Sequence, residues 1–453
     1  MVARTKAVLG DLRRDARAGW MFERIVGAGS LVLREIGATR DGEVAAGRFL
    51  GSDKIDVAGL LTPHVARTAN AAAGRRVVAA QDTTEINFSG RDARRKNLGP
   101  AGNGPGKGFF IHPVIAVDAD TEAVLGVVGA RIWTRDDTPT PAHQPRPFED
   151  KESRRWLEGA ETASQHLVSG TAQVIMVADR EGDIYPLFAR KPADIDFVVR
   201  SSHDRALADG GALFAAPAAW DELGRMQVRV AARGPGDKGR IATVALKAGP
   251  VTIRKPTSSG HKQDPPALRL GLVEAREVDI PAGTTKPLLW RLVTTLPAAT
   301  LADASEAVRL YRLRWRIEEV FRVLKSDGLK LEDTQVESAD RLFKLAALGL
   351  VAATRIIQLV DARDGSTRPA TDIIAVDQID AVAAIGATLE GRSERQRNHF
   401  AQGSLPWLAW IAARLGGWNC YYKPPGPKTM ARGLDRLFDR IEGFAIAKTL
   451  PDV

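Results

Sequence analysis

Two short apolar runs, Val77-Val78-Ala79-Ala80 and Val174-Ile175-Met176-Val177-Ala178, each lead the chain to an aspartate: Asp82 after the first, Asp179 after the second. Runs of this length, bounded by polar residues, read as strands buried on both faces. A carboxylate at the end of such a strand sits at the rim of a sheet. Taken singly, each acid has an ordinary explanation: Asp82, before two threonines, is well placed to cap a turn, and Asp179, beside Arg180, to form an ion pair. The pair matters because it constrains the topology: in a parallel arrangement of these two strands the carboxylates become neighbours.

The surrounding pattern predicts such an arrangement. Residues up to about 72 read as helices rich in Ala, Arg and Leu, with a loop over 37–42. From 73 the texture changes to strand-like runs at 77–80, 109–117 and 123–132, a helix over 151–168, the strand at 174–178, a short helix over 184–190 and a strand at 196–200. Three strands, a helix, a strand, a helix and a strand match the order of an RNase H-like mixed α/β core. Between 205 and 300 the pattern is all-β, with strands expected at 226–232, 240–246, 268–274 and 288–294, punctuated by Gly-Pro-Gly at 234–236 and a Pro/Ser/Gly-rich stretch at 256–266. Beyond 335 it returns to helix. The expected division is a helical N-terminal domain over 1–72, a core over 73–335 with a β-rich insertion over 205–300, and a helical C-terminal region over 336–453.

A third carboxylate emerges from the run Tyr311-Arg-Leu-Arg314-Trp-Arg-Ile-Glu318-Glu-Val-Phe-Arg-Val-Leu-Lys325. On one continuous helix, offsets of three, seven and fourteen return Arg314, Glu318 and Lys325 to the face of Tyr311, within an arc of roughly 60°. Such a face combines a metal-holding carboxylate with the groups that grip phosphate oxygens. Mixed charges on a helix are also the ordinary signature of a solvated face.

Composition narrows the partner. The formal net charge of +9 and a pI near 9.7 favour a polyanion, and the arginine-rich balance suits phosphate. The single cysteine, Cys420, excludes an internal disulfide framework and a cysteine-based zinc site, and the seven scattered histidines show no ligand-like spacing. Any metal chemistry must use carboxylates. The N-terminal residues lack the apolar core of a signal peptide, and the apolar stretch at 345–359 is short for a membrane span and interrupted by Arg355. A cytoplasmic location and no membrane partner are expected.

The Tyr311, Arg314, Glu318, Lys325 pattern resembles the YREK signature of bacterial insertion-sequence transposases of the DDE class, the group that includes the transposon-five transposase. Gln81-Asp82-Thr83-Thr84, Val177-Ala178-Asp179-Arg180-Glu181 and Lys151-Glu152-Ser153-Arg154-Arg155-Trp156 resemble further family words. So do Gly10-Asp11-Leu12-Arg13-Arg14-Asp15-Ala16-Arg17, Gly47-Arg48-Phe49-Leu50 and Leu415-Gly416-Gly417-Trp418. The resemblance implies Asp82, Asp179 and Glu318 as catalytic, metal-holding carboxylates for two Mg2+ ions, with Mn2+ as a substitute. Tyr311, Arg314 and Lys325 would grip phosphates, Trp290 would stack on a flipped base, and Arg200 would face DNA. Arg13, Arg14 and Arg17 would belong to the domain that recognises the transposon end, although on composition alone they suit a solvated helix face. The implied activity is cut-and-paste transposition: nicking, hairpin formation and strand transfer by a homodimer on double-stranded terminal inverted repeats and target DNA. Glu181 and Asp183 are read as supporting groups rather than ligands. The alternatives are a nuclease of the same fold without strand transfer, and a transposase-derived DNA-binding protein.

Overall fold

The computed structural model describes residues 8–88, 95–102, 106–136, 147–230, 239–257, 263–281 and 286–447. Helices α1 (Leu12–Ala28), α2 (Leu33–Gly37), α3 (Arg40–Leu50) and α4 (Val57–Ala72) precede strands β1 (Arg76–Gln81), β2 (Thr84–Asn87), β3 (Gly99–Pro100), β4 (Lys107–Asp118) and β5 (Val124–Trp133). Then come α5 (Arg155–Leu167), β6 (Gln173–Ala178), α6 (Tyr185–Arg190) and β7 (Asp196–Arg200), followed by β8 (Gly224–Val230), β9 (Arg240–Arg254), β10 (Ala267–Val278) and β11 (Leu289–Thr294). The chain finishes with α7 (Leu301–Arg312), α8 (Trp315–Arg322), α9 (Ala339–Ala362), α10 (Ile379–Ala387), α11 (Leu405–Leu415) and α12 (Pro427–Ala447).

All the described strands form one mixed sheet. Its main path runs β2-β4-β1-β6-β7-β11-β10-β9-β8, and β3 and β5 also pair with β4. β1, β6 and β7 are parallel neighbours at its centre, with Ala80 opposite Val177 and Ala178 opposite Val199. Apolar side chains cover both faces of these strands, which is why their sequences are continuous apolar runs rather than alternating ones.

The strands expected as an insertion join the central sheet: β11 pairs antiparallel with β7 through Val199 and Val293, and β8 to β11 continue the sheet from there. β9 also continues eight residues past the expected end at 246 and passes through Pro250. Pro250 lies opposite Gly271 of β10, in the stretch of β9 beyond Leu246 where the pairing with β8 has ended, an edge position that tolerates a residue without an N–H. The expected turn at 234–236 lies outside the described residues, as do 258–262 of the Pro/Ser/Gly-rich stretch.

In the N-terminal helices the expected loop over 37–42 shrinks to two residues. A Cβ on Gly42 would lie 2.1 Å from the Gly37 carbonyl oxygen, and one on Gly37 would lie 2.2 Å from the Glu43 nitrogen, so the tight turn from α2 to α3 requires both glycines.

α9 is 24 residues long, longer than the apolar stretch at 345–359, and by length and composition it is apolar enough to cross a bilayer. Because 89% of its most apolar window is buried inside the protein, it is instead the helix around which α1, α4, α8, α11 and α12 pack. Arg355 does not break it; the side chain is buried at a position discussed below.

Candidate active site

Two aspartates and an arginine stand at the ends of the three parallel strands. Two steps beyond the register of β1 with β6, Asp82 falls opposite Asp179, and one step beyond that of β6 with β7, Asp179 falls opposite Arg200. Adjacent strands lie about 4.8 Å apart, so two acids and a guanidinium stand in a row at one rim. Asp82 marks a gap in a longer strand, because β2 continues on β4 in the register of β1 after a break at Asp82 and Thr83. Asp82 closes that break by accepting the Thr83 N–H at 2.8 Å. Asp179 similarly accepts the Glu181 N–H at 2.9 Å and caps the turn Arg180–Gly182.

The turn between α7 and α8 lies over this rim. α7 begins with a capping box, in which Thr300 accepts from Asp303 N and Asp303 accepts from Thr300 N. It ends at Arg312, and Arg314 N and Ile317 N then bond three residues back, to Tyr311 O and Arg314 O, both at 3.1 Å. The π-helical turn Val323–Asp327 follows α8. The expected single helix is therefore tightened at one point and widened at another, and the four groups do not share one uninterrupted arc. Arg314 bridges two of the carboxylates, donating from Nη1 to Asp82 Oδ2 at 2.5 Å and from Nη2 to Glu318 Oε1 at 2.7 Å. Lys325 is carried away from this bridge; its ammonium donates to Glu85 O at 2.7 Å and lies 3.7 Å from Glu332.

Burial pushes the Asp82 carboxyl up to about 7 despite the neighbouring Arg314, and the like charges of Asp179 and Glu318 add to the rise. Burial also raises the Tyr311 phenol, while Arg314 and Arg200 work against that rise. Burial weakens the Arg200 guanidinium, which hydrogen-bonds the Tyr311 side chain and donates to Leu289 O at 3.2 Å. Trp290 meets the Tyr311 ring edge-on, with centroids 5.3 Å apart. Arg200, Trp290 and Tyr311 thus form one buried wall beside the acids.

A cleft of about 1190 Å3 opens from that wall and reaches Glu318, Trp290, Trp315 and Phe214. Arg180, Arg229, Lys286, Arg312 and Arg322 line it, and none has a carboxylate at ion-pair distance among the described residues. The sequence reading singled out none of these five cations: Arg180, Arg312 and Arg322 stand inside the quoted motifs but at positions without a signature role, and Arg229 and Lys286 come from a strand and a loop far from them.

It also missed Arg155, which is almost fully buried and donates to Thr83 Oγ1 at 2.9 Å and to Glu181 Oε2 at 2.5 Å, tying both aspartate-bearing turns to α5. Behind it, burial holds the His112 imidazole well below its usual pKa, so it is neutral. With the Gln81 amide turned so that its nitrogen donates to His112 Nε2 and to Trp156 O, His112 carries its proton on Nδ1 and donates to Thr83 Oγ1 at 2.9 Å. Asp183 is not at the rim. It is buried against Arg205 and holds the chain after Arg200, accepting from Ser202 N at 2.7 Å and His203 N at 2.8 Å.

The N-terminal cations lie elsewhere. Arg13 and Arg17 are exposed on α1, Arg17 lies over the Trp20 ring, and Arg14 folds back onto Leu9 O. None joins the carboxylates.

Residues 74–355 match the family model of the transposase DDE domain. The chain belongs to that family. As a DDE transposase domain, the core carries an enzyme class that acts on DNA and generally uses divalent metals, and the mixed sheet with flanking helices is consistent with its fold. Among the described residues, no group of three or more His, Cys, Asp or Glu side chains is gathered closely enough to hold a metal ion. The donor set still fits one in kind: hard carboxylate oxygens, two of them on adjacent strand ends, whose mutual repulsion a cation relieves. The Arg314 guanidinium supplies the positive charge between Asp82 and Glu318 in this structure.

Proposed function

We propose that this transposase carries out cut-and-paste movement of an insertion sequence, with Asp82, Asp179 and Glu318 as its catalytic carboxylates on an RNase H-like core of the YREK group. The observation that carries the reading is the bridge from Asp82 through Arg314 to Glu318, set beside Asp179 and opening onto a cation-lined cleft. Two divalent cations, Mg2+ or Mn2+, held by these acids would supply the Lewis acidity that activates an attacking oxygen and stabilises the leaving one.

The protein's own groups perform the rest. Arg314 keeps Glu318 and Asp82 turned toward one another, so the acids remain in reach of a common phosphate. The Arg180, Arg312 and Arg322 side chains neutralise the DNA backbone along the cleft, fixing its register without reading sequence. Trp290, which lines the cleft with Tyr311 packed edge-on against it, offers a base a stacking surface, which offsets part of the cost of unstacking at a hairpin end, about 1–3 kcal/mol per contact. Arg200 steadies the Tyr311 phenol. Lys325, fixed on β2 three positions beyond Asp82, would meet the flanking phosphate. The exposed Arg13 and Arg17 on α1 suit contact with the terminal inverted repeat, within a DNA-end-binding region over 1–72. Two copies would act on paired ends, with helices of the region 336–453 in the dimer contact, in the cytoplasm where the nucleoid lies.

The test is incubation of the protein with a duplex carrying the inverted repeat that flanks its gene and with a scrambled duplex of equal length, with and without Mg2+. Metal-dependent nicks and hairpins confined to the repeat support the reading. Sequence-blind degradation would point to a nuclease, and binding without cleavage at any metal concentration would reduce the protein to a DNA-binding factor.

A further inference from the structure

At the end of the sheet away from the acids, α4, α9 and the start of β5 line a cavity of about 10 Å3, with His64, Arg67, Thr68, Arg355, Arg368 and Asp372 around it. Its charges do not balance. Three guanidiniums face one carboxylate, and Arg368 Nε already holds that carboxylate at 2.6 Å. Arg355 is 5% exposed, and both of its hydrogen bonds leave from Nη1 and end on neutral oxygens, Gln358 Oε1 and Asp372 O. No carboxylate lies at ion-pair distance from it among the described residues. Arg368 is equally buried, and its Nη2 has no hydrogen-bond partner. Burying a guanidinium away from water without an opposite charge is costly by several kcal/mol.

We propose that this cavity binds a single monoatomic anion, chloride in the cell, coordinated by Arg355 and the free Nη2 of Arg368. Size limits the ligand: the space admits about one small sphere, so tetrahedral phosphate and sulfate do not fit, while a halide, somewhat larger than water, enters with a small outward shift of the guanidiniums. The histidine beside it is compatible, since burial and the charges of Arg355 and Arg67 push His64 down to about 3, leaving a neutral ring that can donate one N–H. A second hollow shares part of the cavity's lining. Arg67, Ala71, Arg368 and Asp372 also line a wider hollow of about 360 Å3 that includes Arg75. The ion would pin the N-terminal helix α4, the sheet and α9 together, at the end of β1 opposite Asp82. The site therefore concerns the stability of the whole chain rather than the chemistry at the acids.

The experiment melts the full chain at constant ionic strength in sodium chloride, sodium bromide and sodium gluconate, the last too bulky to enter. The wild type should gain roughly 2–4 °C, saturably, in either halide over gluconate. Arg355→Met should show no difference between the salts. Should that variant not fold, 35Cl line broadening serves instead, present with the wild type and reduced at least several-fold with Arg368→Gln. A bromide soak should place an anomalous peak between the two guanidiniums. A wild-type melting temperature indifferent to the anion, or a water at that position in the bromide-soaked crystal, overturns the proposal.

Discussion

Replacing Arg205 by methionine should destabilise the protein far more than a typical surface change and should loosen the cleft. Arg205 donates to Asp183 Oδ1 from Nη2 at 2.6 Å and from Nε at 3.2 Å, and to Asp183 O at 2.8 Å, while the Asp183 side chain is 0% exposed. Methionine keeps the apolar stem and removes the cation. Asp183 would retain its bonds from Ser202 N, His203 N and Ser201 Oγ and the His203 ring at 3.1 Å, but would be a buried anion stripped of its guanidinium. Breaking such a pair from one side costs about 3–5 kcal/mol. The cost depends on pH in a definite sense. Burial alone would raise the Asp183 carboxyl, but the Arg205 charge and the N–H donors hold it below its usual value, so its stabilisation is present above about pH 4 and is lost as pH falls through the lower folded value. The gap between wild type and Arg205→Met in urea unfolding should therefore narrow in acid. The double variant Asp183→Asn/Arg205→Met, with no stranded charge, should recover more than half of the loss. A cost below about 1 kcal/mol, or one equally large at pH 3 and pH 7, would refute the reasoning. Because Ser201 and Ser202 line the cleft, the single variant should also bind DNA more weakly than its folded fraction explains.

Three further outcomes are expected. His64 and His112 should together take at least about 2 kcal/mol from the unfolding free energy between pH 7.5 and 5, because the unfolded chain protonates them below about 6.5 while the folded one, with His64 at about 3, does not. Asp82, held up to about 7, works in the opposite direction, so the comparison is with His64→Gln/His112→Gln, which should lose less; an equal loss contradicts the assignment. Arg312→Ala and Arg322→Ala should each lower the slope of log binding constant against log salt by about 1, if both guanidiniums neutralise a phosphate, and unchanged slopes would remove them from the interface. Gly433→Ala should cost about 2–3 kcal/mol in thermal unfolding, since a Cβ there would lie 1.7 Å from Ala412 O where α12 crosses α11, and an unaltered melting temperature would contradict that close approach.

The sequence shows the rim of the sheet more clearly than the cleft. Asp82 and Asp179 are legible because each ends a continuous apolar run, and such a run in a protein of this size is a buried parallel strand. Glu318 and Arg314 are legible through their local spacing, since an i,i+4 pair survives small changes in helical pitch. Lys325 is further along, and one π turn is enough to redirect it to β2. β2 escapes notice because it is four residues long and is defined by its register on β4 rather than by its own pattern. The passage of β9 through Pro250 depends on the pairing with β8 ending at Leu246, and the burial of Arg155 depends on Thr83 and Glu181. Neither is visible locally. Arg355 reads as an interruption of an apolar helix, whereas its environment makes it a buried cation facing a cavity.

The central claim is that Asp82, Asp179 and Glu318 act as one unit, and the most direct measurement is the single-turnover cleavage rate of Asp82→Asn, Asp179→Asn, Glu318→Gln and the triple variant on the terminal repeat with Mg2+. Groups that act together are strongly non-additive. Each single change should therefore reduce the rate by about 1000-fold or more, and the triple variant should be scarcely slower than the worst single one. Losses that multiply across the three, or a single variant that cleaves at near the wild-type rate, would contradict the account.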